Sequence, residues 1–541
     1  MIENMKKVER KNKLSLKNVL VKTMVIMFSI FFLIILVNTI LFNRTTQINY
    51  SVLTMIISTI IMYFIIYLLY KHNKFEYKFP KTYQVGLVMV AIFVIQIILA
   101  NLTYADCGWD CGIVVRQAVN LLNGENFDTH YFAVCSNNIG ILLISKYVLR
   151  FTGLFTTITL QNAFFSMIIF NIVMIDISAV LTFYLCKKLL GNKSAYFSLL
   201  FIVPLILFSP YIIVPYTDTI TMVFPVAIMY TYVIIKEEKE PVKKNILALI
   251  EGILVVTGFF IKPTAIIMMI AIAIIELLQI NKTKIKYSLV IIAMFAIGCI
   301  ISYTGYSYLK NKNLGSLISD EDYEKYSMSF THFLKMGMSQ TESGNPLPTK
   351  NKTLYGSYSE NDALTTQGII GKDEKQKENL RTVKKRLQDF GIKGYIKFLY
   401  NKANWILSDG TFFYGEEGTF WTSEHYNNSE IGKFIQELIN KDDVKYQTVT
   451  VNIMQTLWIL IIIGLVFSYN KKQDDNFAIL KLSIIGIVIF LLLFEGRARY
   501  IVNHLPLFII IGVCGIKNSL KFFDHKEKLL LKEGDKNEVK N

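Results

Sequence analysis

Stretches of about 20 apolar residues recur along this chain of 541 residues, each long enough to cross about 30 Å of hydrocarbon as a helix. Twelve such stretches fall near residues 20–42, 51–70, 84–104, 158–186, 194–213, 217–235, 245–261, 263–280, 286–308, 449–469, 476–494 and 499–519. In lipid every backbone polar group must be satisfied within the segment, so the pattern predicts an all-α polytopic membrane protein. Composition agrees: 53% of the residues are hydrophobic and 18% charged, where a soluble domain carries roughly 25% charged. Ten prolines and 29 glycines exclude a collagen-like or disordered chain, and six cysteines exclude a disulfide scaffold. The first stretch is too long for a cleaved signal peptide, lacks a small-residue cleavage site and is followed at once by a second span.

A net charge of +16 would suit nucleic-acid binding in a soluble protein, but in a membrane protein the placement of Lys and Arg carries the information. Lys6, Lys7, Arg10, Lys11, Lys13 and Lys17 precede the first span and place the N-terminus in the cytoplasm. Alternation from there puts Lys71, Lys74, Lys78 and Lys81, then Lys187, Lys188 and Lys193, on the inside. Lys236, Lys239, Lys243 and Lys244 follow on that side, then Lys282, Lys284 and Lys286, and finally Lys471 and Lys472. The short outside loops hold little basic charge beyond Arg44, Lys262, Arg497 and Arg499. Residues 139–151 carry Lys146 and Arg150 and are too short to cross, so they read as an interfacial amphipathic helix. The chain then divides into an N-terminal cytoplasmic segment with two spans (1–83), a transmembrane core (84–308) with an external loop (105–157), an extracytoplasmic domain (309–447), C-terminal spans (448–520) and a basic cytoplasmic tail (521–541). Within 309–447, a charged amphipathic helix over 373–389 is expected to break at Gly391 before a second helix near 393–407. The fold expected is a bundle of about 12 transmembrane helices in the cell membrane with a mainly helical extracytoplasmic domain.

Ionisable groups near a membrane are costly and informative. Four sets fall on the inferred outer face. Asp106 and Asp110 open the external loop, where each either caps the following helix or serves as a general base for a hydroxyl acceptor. Asp218, in Tyr216-Thr217-Asp218-Thr219, either caps the sixth span or binds sugar hydroxyls. Lys262, before Pro263, either snorkels to headgroups or neutralises a bound phosphate. Glu495-Gly496-Arg497-Ala498-Arg499-Tyr500 offers two guanidinium forks, either as a structural Glu–Arg pair or as an anion site. Together they fit transfer of a group away from a lipid phosphate, with cations stabilising the departing phosphate and a carboxylate taking the acceptor's proton.

At these residues the chain resembles the GT-C superfamily of membrane glycosyltransferases, in the bacterial branch related to protein O-mannosyltransferases and aminoarabinose transferases, and nearer still a Gram-positive integral membrane group. The matching elements are the acidic start of the external loop, Tyr131-Phe132, Ser136-Asn137-Asn138-Ile139-Gly140, the Tyr216–Thr219 loop, Lys262-Pro263-Thr264 and Glu495-x-Arg497-x-Arg499-Tyr500. His332-Phe333, Met336-Gly337, Tyr355-Gly356 and Lys402…Trp405…Asp409-Gly410-Thr411 extend the likeness through the large external region. It rests on order and placement, runs from about residue 84 to 520, and departs where Cys135-Ser136 replaces the group's Tyr-Pro. The resemblance implies inverting transfer of a sugar (hexosyl or pentosyl) from a polyprenyl-phosphate carrier to an extracytoplasmic cell-wall or surface-polymer acceptor. It implies Asp110 as general base with Asp106 as rival, Asp218 as the second acidic residue, and Lys262, Glu495, Arg497, Arg499, Tyr500, Asn137 and Asn138 as substrate contacts. It implies no metal cofactor; the paired carboxylates would accommodate Mg²⁺ or Mn²⁺ without requiring it. The alternatives are a transporter or flippase of a lipid-linked saccharide, for which mid-span Asp176 is the best residue, and a ligase using lipid diphosphates. Cys107, Cys111 and Cys135 share the external loop and allow at most one disulfide, Cys135 with Cys107 or Cys111.

The orientation makes a direct prediction. In a cysteine-free background, Asp128→Cys is labelled by an impermeant maleimide on intact cells and Glu238→Cys only after permeabilisation. The reverse pattern contradicts it.

Overall fold

The computed structural model describes residues 16–42, 51–72, 78–278, 285–342, 353–414, 424–440, 442–469 and 474–538. Among them, eleven helices are long and apolar enough to cross a membrane. The remaining stretch, expected near 263–280, forms the shorter apolar helix Pro263–Leu277, beyond which 279–284 lie outside the described residues. The protein is an all-α polytopic membrane protein. In chain order, α1 (Leu16–Val37), α2 (Val52–His72) and α3 (Thr82–Thr103) lead into α4 (Trp109–Asn123), α5 (Thr129–Val134) and α6 (Ile139–Thr152). Next come α7 (Leu160–Leu190), α8 (Asn192–Ile202), the short α9 (Thr217–Ile220), α10 (Val223–Glu237), α11 (Pro241–Ile261), α12 (Ile267–Leu277) and α13 (Ile285–Leu314). The polar region holds α14 (Asp320–Tyr326), α15 (Phe330–Met336), α16 (Glu360–Gln367), α17 (Lys372–Leu407) and α18 (Glu430–Gln436). The spans α19 (Val451–Val466), α20 (Asp475–Leu493) and α21 (Leu505–Glu538) close the chain.

With lipid outside, the hydrophobic effect does little to hold the spans together, and close backbone packing takes its place. Glycines mark the tightest crossings. A Cβ on Gly515 of α21 would lie 1.6 Å from Gly464 O of α19, and one on Gly298 of α13 would lie 2.0 Å from Leu249 O of α11. The first two spans pack on the last ones: Phe32 of α1 sits edge-on to Phe508 of α21, and Ser58 of α2 bonds Thr456 of α19 at 3.0 Å. The amphipathic segment 139–151 forms α6 and carries a buried face of Ile139, Ile141, Leu142, Leu143 and Leu149. It packs on α4 and α7, and Gly140 lets it meet α11 so closely that a Cβ there would be 2.0 Å from Phe260 O.

The polar region is built around buried hydrogen bonds and has almost no β structure, with one antiparallel pair joining Gln340–Glu342 to Thr353–Tyr355. Arg386 of α17 grips the Asp362 carboxylate of α16 with two bonds of 2.9 and 2.8 Å. Lys335 and His332 of α15 both bond Thr366 of α16, at 2.7 and 2.9 Å. Burial pushes the His332 imidazole down to about 4 and keeps it neutral. As its composition suggests, α17 breaks at Gly391, whose φ of +57° is open to glycine. The second half of α17 then does what its polarity conceals. It descends among the spans until Leu407 O accepts from Trp458 Nε1 at 2.7 Å, well inside the Tyr446–Val466 span. A turn at Ser408–Tyr414 follows, with Gly410 N–H bonded to Gln455 of α19 and Asp409 accepting from Thr411 and from the Phe413 amide.

The glycine crossings generate a stability prediction. Gly515→Leu should destabilise the detergent-solubilised protein by about 3 kcal/mol through overpacking, whereas Gly86→Leu, with nothing near its Cβ position, should not. Equal thermal midpoints for the two variants would contradict this packing.

Candidate functional site

Asp218 is the centre of the site. It lies in α9 at the start of a span and is 3% exposed. Its carboxylate pairs with the Lys262 ammonium and lies 3.8 Å from Arg499 Nε. Lys262 ends α11 and Arg499 opens the last span, so one carboxylate ties three distant stretches together. Pro263, at the first position of the next helical turn, ends α11 and fixes the turn in which Lys262 sits. Burial pushes the Lys262 ammonium below its ordinary value, and Asp218 opposes that shift. Thr264, two residues on, accepts from Asn503 at 2.9 Å and locks the Lys262 turn to the last span.

Asp110 sits in the first turn of α4 and points at phenols. Tyr131 donates to its Oδ1 at 2.7 Å, and Tyr216 directs its single proton mainly to Asn138, with Asp110 Oδ2 at 3.4 Å as the longer branch. Asn138 cross-braces the two, donating to Tyr131 Oη at 2.7 Å and accepting from Tyr216 Oη at 2.9 Å. Burial, reinforced by the Asp110 charge, raises both phenols well above their ordinary values, which keeps them protonated as donors. Because Tyr216 immediately precedes the Thr217–Ile220 helix, this bond couples Asp110 to the Asp218 cluster. Trp109, beside Asp110, has a φ of +51°, a conformation that costs a bulky residue about 1–3 kcal/mol. Its surroundings impose it: Arg116 bonds Cys107 O at 3.2 Å, and a Cβ on Gly112 would lie 1.8 Å from that oxygen. The indole ring is thereby held 5.9 Å from the Arg497 guanidinium and 5.7 Å from that of Arg499.

The Glu495–Tyr500 segment is held by the polar region through its backbone. Glu495 N–H donates to Phe333 O and Gly496 N–H to Gly356 O. Lys402, buried in α17, donates to Gly337 O, Leu492 O and Phe494 O at 2.7, 3.2 and 2.6 Å, capping the end of α20. Burial pushes its ammonium down to about 7. Gly356, at φ +63°, is obligatory here, since a Cβ would meet both Gly337 O and the Lys402 Nζ within 2.5 Å. Within the segment, Tyr500 donates to Glu495 at 2.8 Å and Arg497 Nε lies 3.8 Å from the same carboxylate. The Lys262 ammonium lies 4.6 Å above the Tyr500 ring.

The structure thus brings together Asp110, Asn138, Asp218, Lys262, Glu495, Arg497, Arg499 and Tyr500, while Asn137 is exposed and donates to Asn138 at 3.4 Å. Neither carboxylate caps its helix: Gly108 and Tyr216 hold those positions, and both acids are engaged elsewhere. Lys262 faces inward to Asp218 instead of snorkelling. Asp106 is separated from Asp110, because helix begins only at Trp109 and the residues before it are not helical. Asp106 instead accepts from Tyr426 at 2.5 Å. All six cysteines are free; Cys135 is pushed up to about 12 by burial and by Asp110 and Asp128. Among the described residues, no group of His, Cys, Asp and Glu has the arrangement of a metal site. Asp176 accepts from Gln96 at 3.0 Å, a partner that accounts for it structurally. Tyr131, Tyr216 and Trp109 complete the site. Sequence spacing did not mark the two tyrosines, and only adjacency to Asp110 could have marked the tryptophan.

Chemically, three cations (Lys262, Arg497, Arg499) meet two carboxylates (Asp218, Glu495), and Asp110 joins them as a third acid through Tyr216. An apolar cleft of about 980 Å³ opens between α6, α7, α11 and α13, lined by Gly140, Phe170, Phe260, Ile261 and Tyr306 among others. It reaches the residue before Lys262, and Gly140 places it two residues from Asn138. Charge balance predicts the ranking of variants. Asp218→Asn leaves Lys262 and Arg499 without their carboxylate and should cost about 3–5 kcal/mol of stability. Adding Lys262→Met to Asp218→Asn should recover part of that loss in detergent thermal unfolding. A double variant less stable than Asp218→Asn alone would contradict the cluster.

A family model described as a conserved hypothetical integral membrane protein matches residues 7–520, taking in all twelve apolar stretches and the whole site. No curated protein matches the chain. With nearly its full length matched, the chain belongs to this family of conserved integral membrane proteins.

Proposed function

We propose that this protein is a GT-C-type inverting glycosyltransferase that moves a sugar from a polyprenyl-phosphate carrier to an acceptor of the cell envelope. The observation that carries the reading is the meeting of Asp110 with the Asp218–Lys262–Arg499 and Glu495–Arg497 pairs near an apolar cleft. A lipid-linked donor needs such a combination: a dry channel for its tail, cations for its phosphate, and a carboxylate for the incoming hydroxyl. The positions of the lysines support an extracytoplasmic site with both termini in the cytoplasm.

In this reading the carrier's prenyl chain lies in the α6–α7–α11–α13 cleft, and its phosphate sits against Lys262, Arg497 and Arg499. Asp110 takes the proton of the acceptor hydroxyl as that oxygen bonds the anomeric carbon. The bond from that carbon to the phosphate oxygen breaks, the electron pair leaves with the phosphate, and the three cations stabilise the charge that develops there. Tyr131 and Tyr216 hold the Asp110 carboxylate for attack from the opposite face, which inverts the anomeric centre. Asn138 fixes the two phenols, and Asp218 keeps Lys262 and Arg499 in register. No step calls for a metal.

The direct test uses Asp110→Asn, which preserves shape. In proteoliposomes supplied with radiolabelled polyprenyl-phosphate sugars and envelope polymer, the variant should transfer at least about 100-fold more slowly with an unchanged thermal midpoint. Full transfer by the variant would remove the proposed base.

A further inference from the structure

Most large apolar side chains exposed on this molecule lie along the spans, where lipid covers them. Trp109 is different. It lies outside the spans, 37% exposed, one residue from Asp110 and within 6 Å of both arginine guanidiniums by ring centroid. Its left-handed backbone is what turns the indole there, and strain of this kind persists where the surrounding structure fixes a side chain for use. Arginines need no tryptophan to bind a phosphate, and Asp110 needs none to accept a proton. What a flat, exposed, electron-rich ring between a base and a pair of cations can add is a surface for the group that connects them.

We propose that Trp109 seats the transferred sugar, packing the C–H face of a pyranose ring against its indole while Arg497 and Arg499 hold the adjoining phosphate. This rests on the glycosyl-transfer reading above and extends it to the substrate's shape. The ring's C–H groups, made electropositive by neighbouring oxygens, meet the negative π face, and the stacked ring presents its anomeric carbon between the guanidiniums and Asp110. The subsite selects monosaccharides with a continuous C–H face and disfavours those with an axial hydroxyl on that face. Trp109 is therefore a sugar-binding residue, and its replacement acts on donor recognition.

The test compares binding of two lipids to the full-length protein in nanodiscs: polyprenyl phosphate bearing glucose, galactose or mannose, and bare polyprenyl phosphate. The wild-type protein should bind at least one sugar-bearing carrier about tenfold more tightly than the bare one, the scale of a good aromatic contact. Trp109→Leu should bring that ratio close to one, and Trp109→Phe should retain most of it. If Trp109→Leu keeps the ratio, or lowers both affinities together, the residue is structural and the proposal is wrong. Equal wild-type binding of bare and sugar-bearing carriers would overturn the stacking subsite while leaving the carrier reading intact. Binding of neither lipid would overturn both.

Discussion

One carboxylate, Asp218, is the interaction on which the site depends. It stands at the start of a span and is reached by Lys262 from the end of another and by Arg499 from the start of the last. A charge in so dry a place is tolerated only with partners, and breaking such a pair costs more than the pair itself contributes. The cluster therefore acts as a geometric pin, forcing three stretches spread over nearly 300 residues to meet at one end of the bundle. Its three cations, gathered at one end of the bundle, are what the proposed function assigns to the donor's phosphate.

The polar region contributes by the backbone. Lys402 and the amides of Glu495 and Gly496 bolt the Glu495–Tyr500 segment to Gly337, Phe333 and Gly356, so the arginines are presented by the folded domain as much as by the spans that flank them. On the other side, Tyr216 relays the position of the Asp218 helix to Asp110 through one phenolic bond. The result is a site whose two halves, acid and cation, are held by separate networks that touch at Tyr216 and Trp109.

Much of this was legible in the sequence. Apolar runs marked the spans, because lipid leaves the backbone no alternative to helix, and Gly391 marked the break in α17 because glycine leaves helical backbone angles at little steric cost. The charges on one inferred face marked Asp110, Asp218, Lys262, Arg497 and Arg499, since an ionisable group at a membrane costs too much to be there without a task. The rest depended on distances that local pattern does not encode. Asp106 and Asp110 look equivalent by spacing, and only the late start of α4 sends one to Tyr426 and the other to Tyr131. The second half of α17 carries Lys402 and Asn404, which hide its descent beside Trp458; the Lys402 ammonium and the Asn404 amide N–H donate to carbonyls of α17, α20 and Gly337. Tyr131 and Tyr216 stood in matched motifs without a role of their own, because their value lies in reaching a distant carboxylate.

The central proposal is that a lipid phosphate and a hydroxyl-activating carboxylate meet at this cluster. A structure of the protein with a non-transferable polyprenyl-phosphonate sugar would test it most directly. The phosphonate should lie within about 3 Å of donors on Lys262, Arg497 or Arg499, with the prenyl chain between α6 and α11 and the anomeric carbon facing Asp110. A headgroup bound at the lysine-rich opposite side of the bundle, or one with its anomeric carbon turned away from Asp110, would contradict the account.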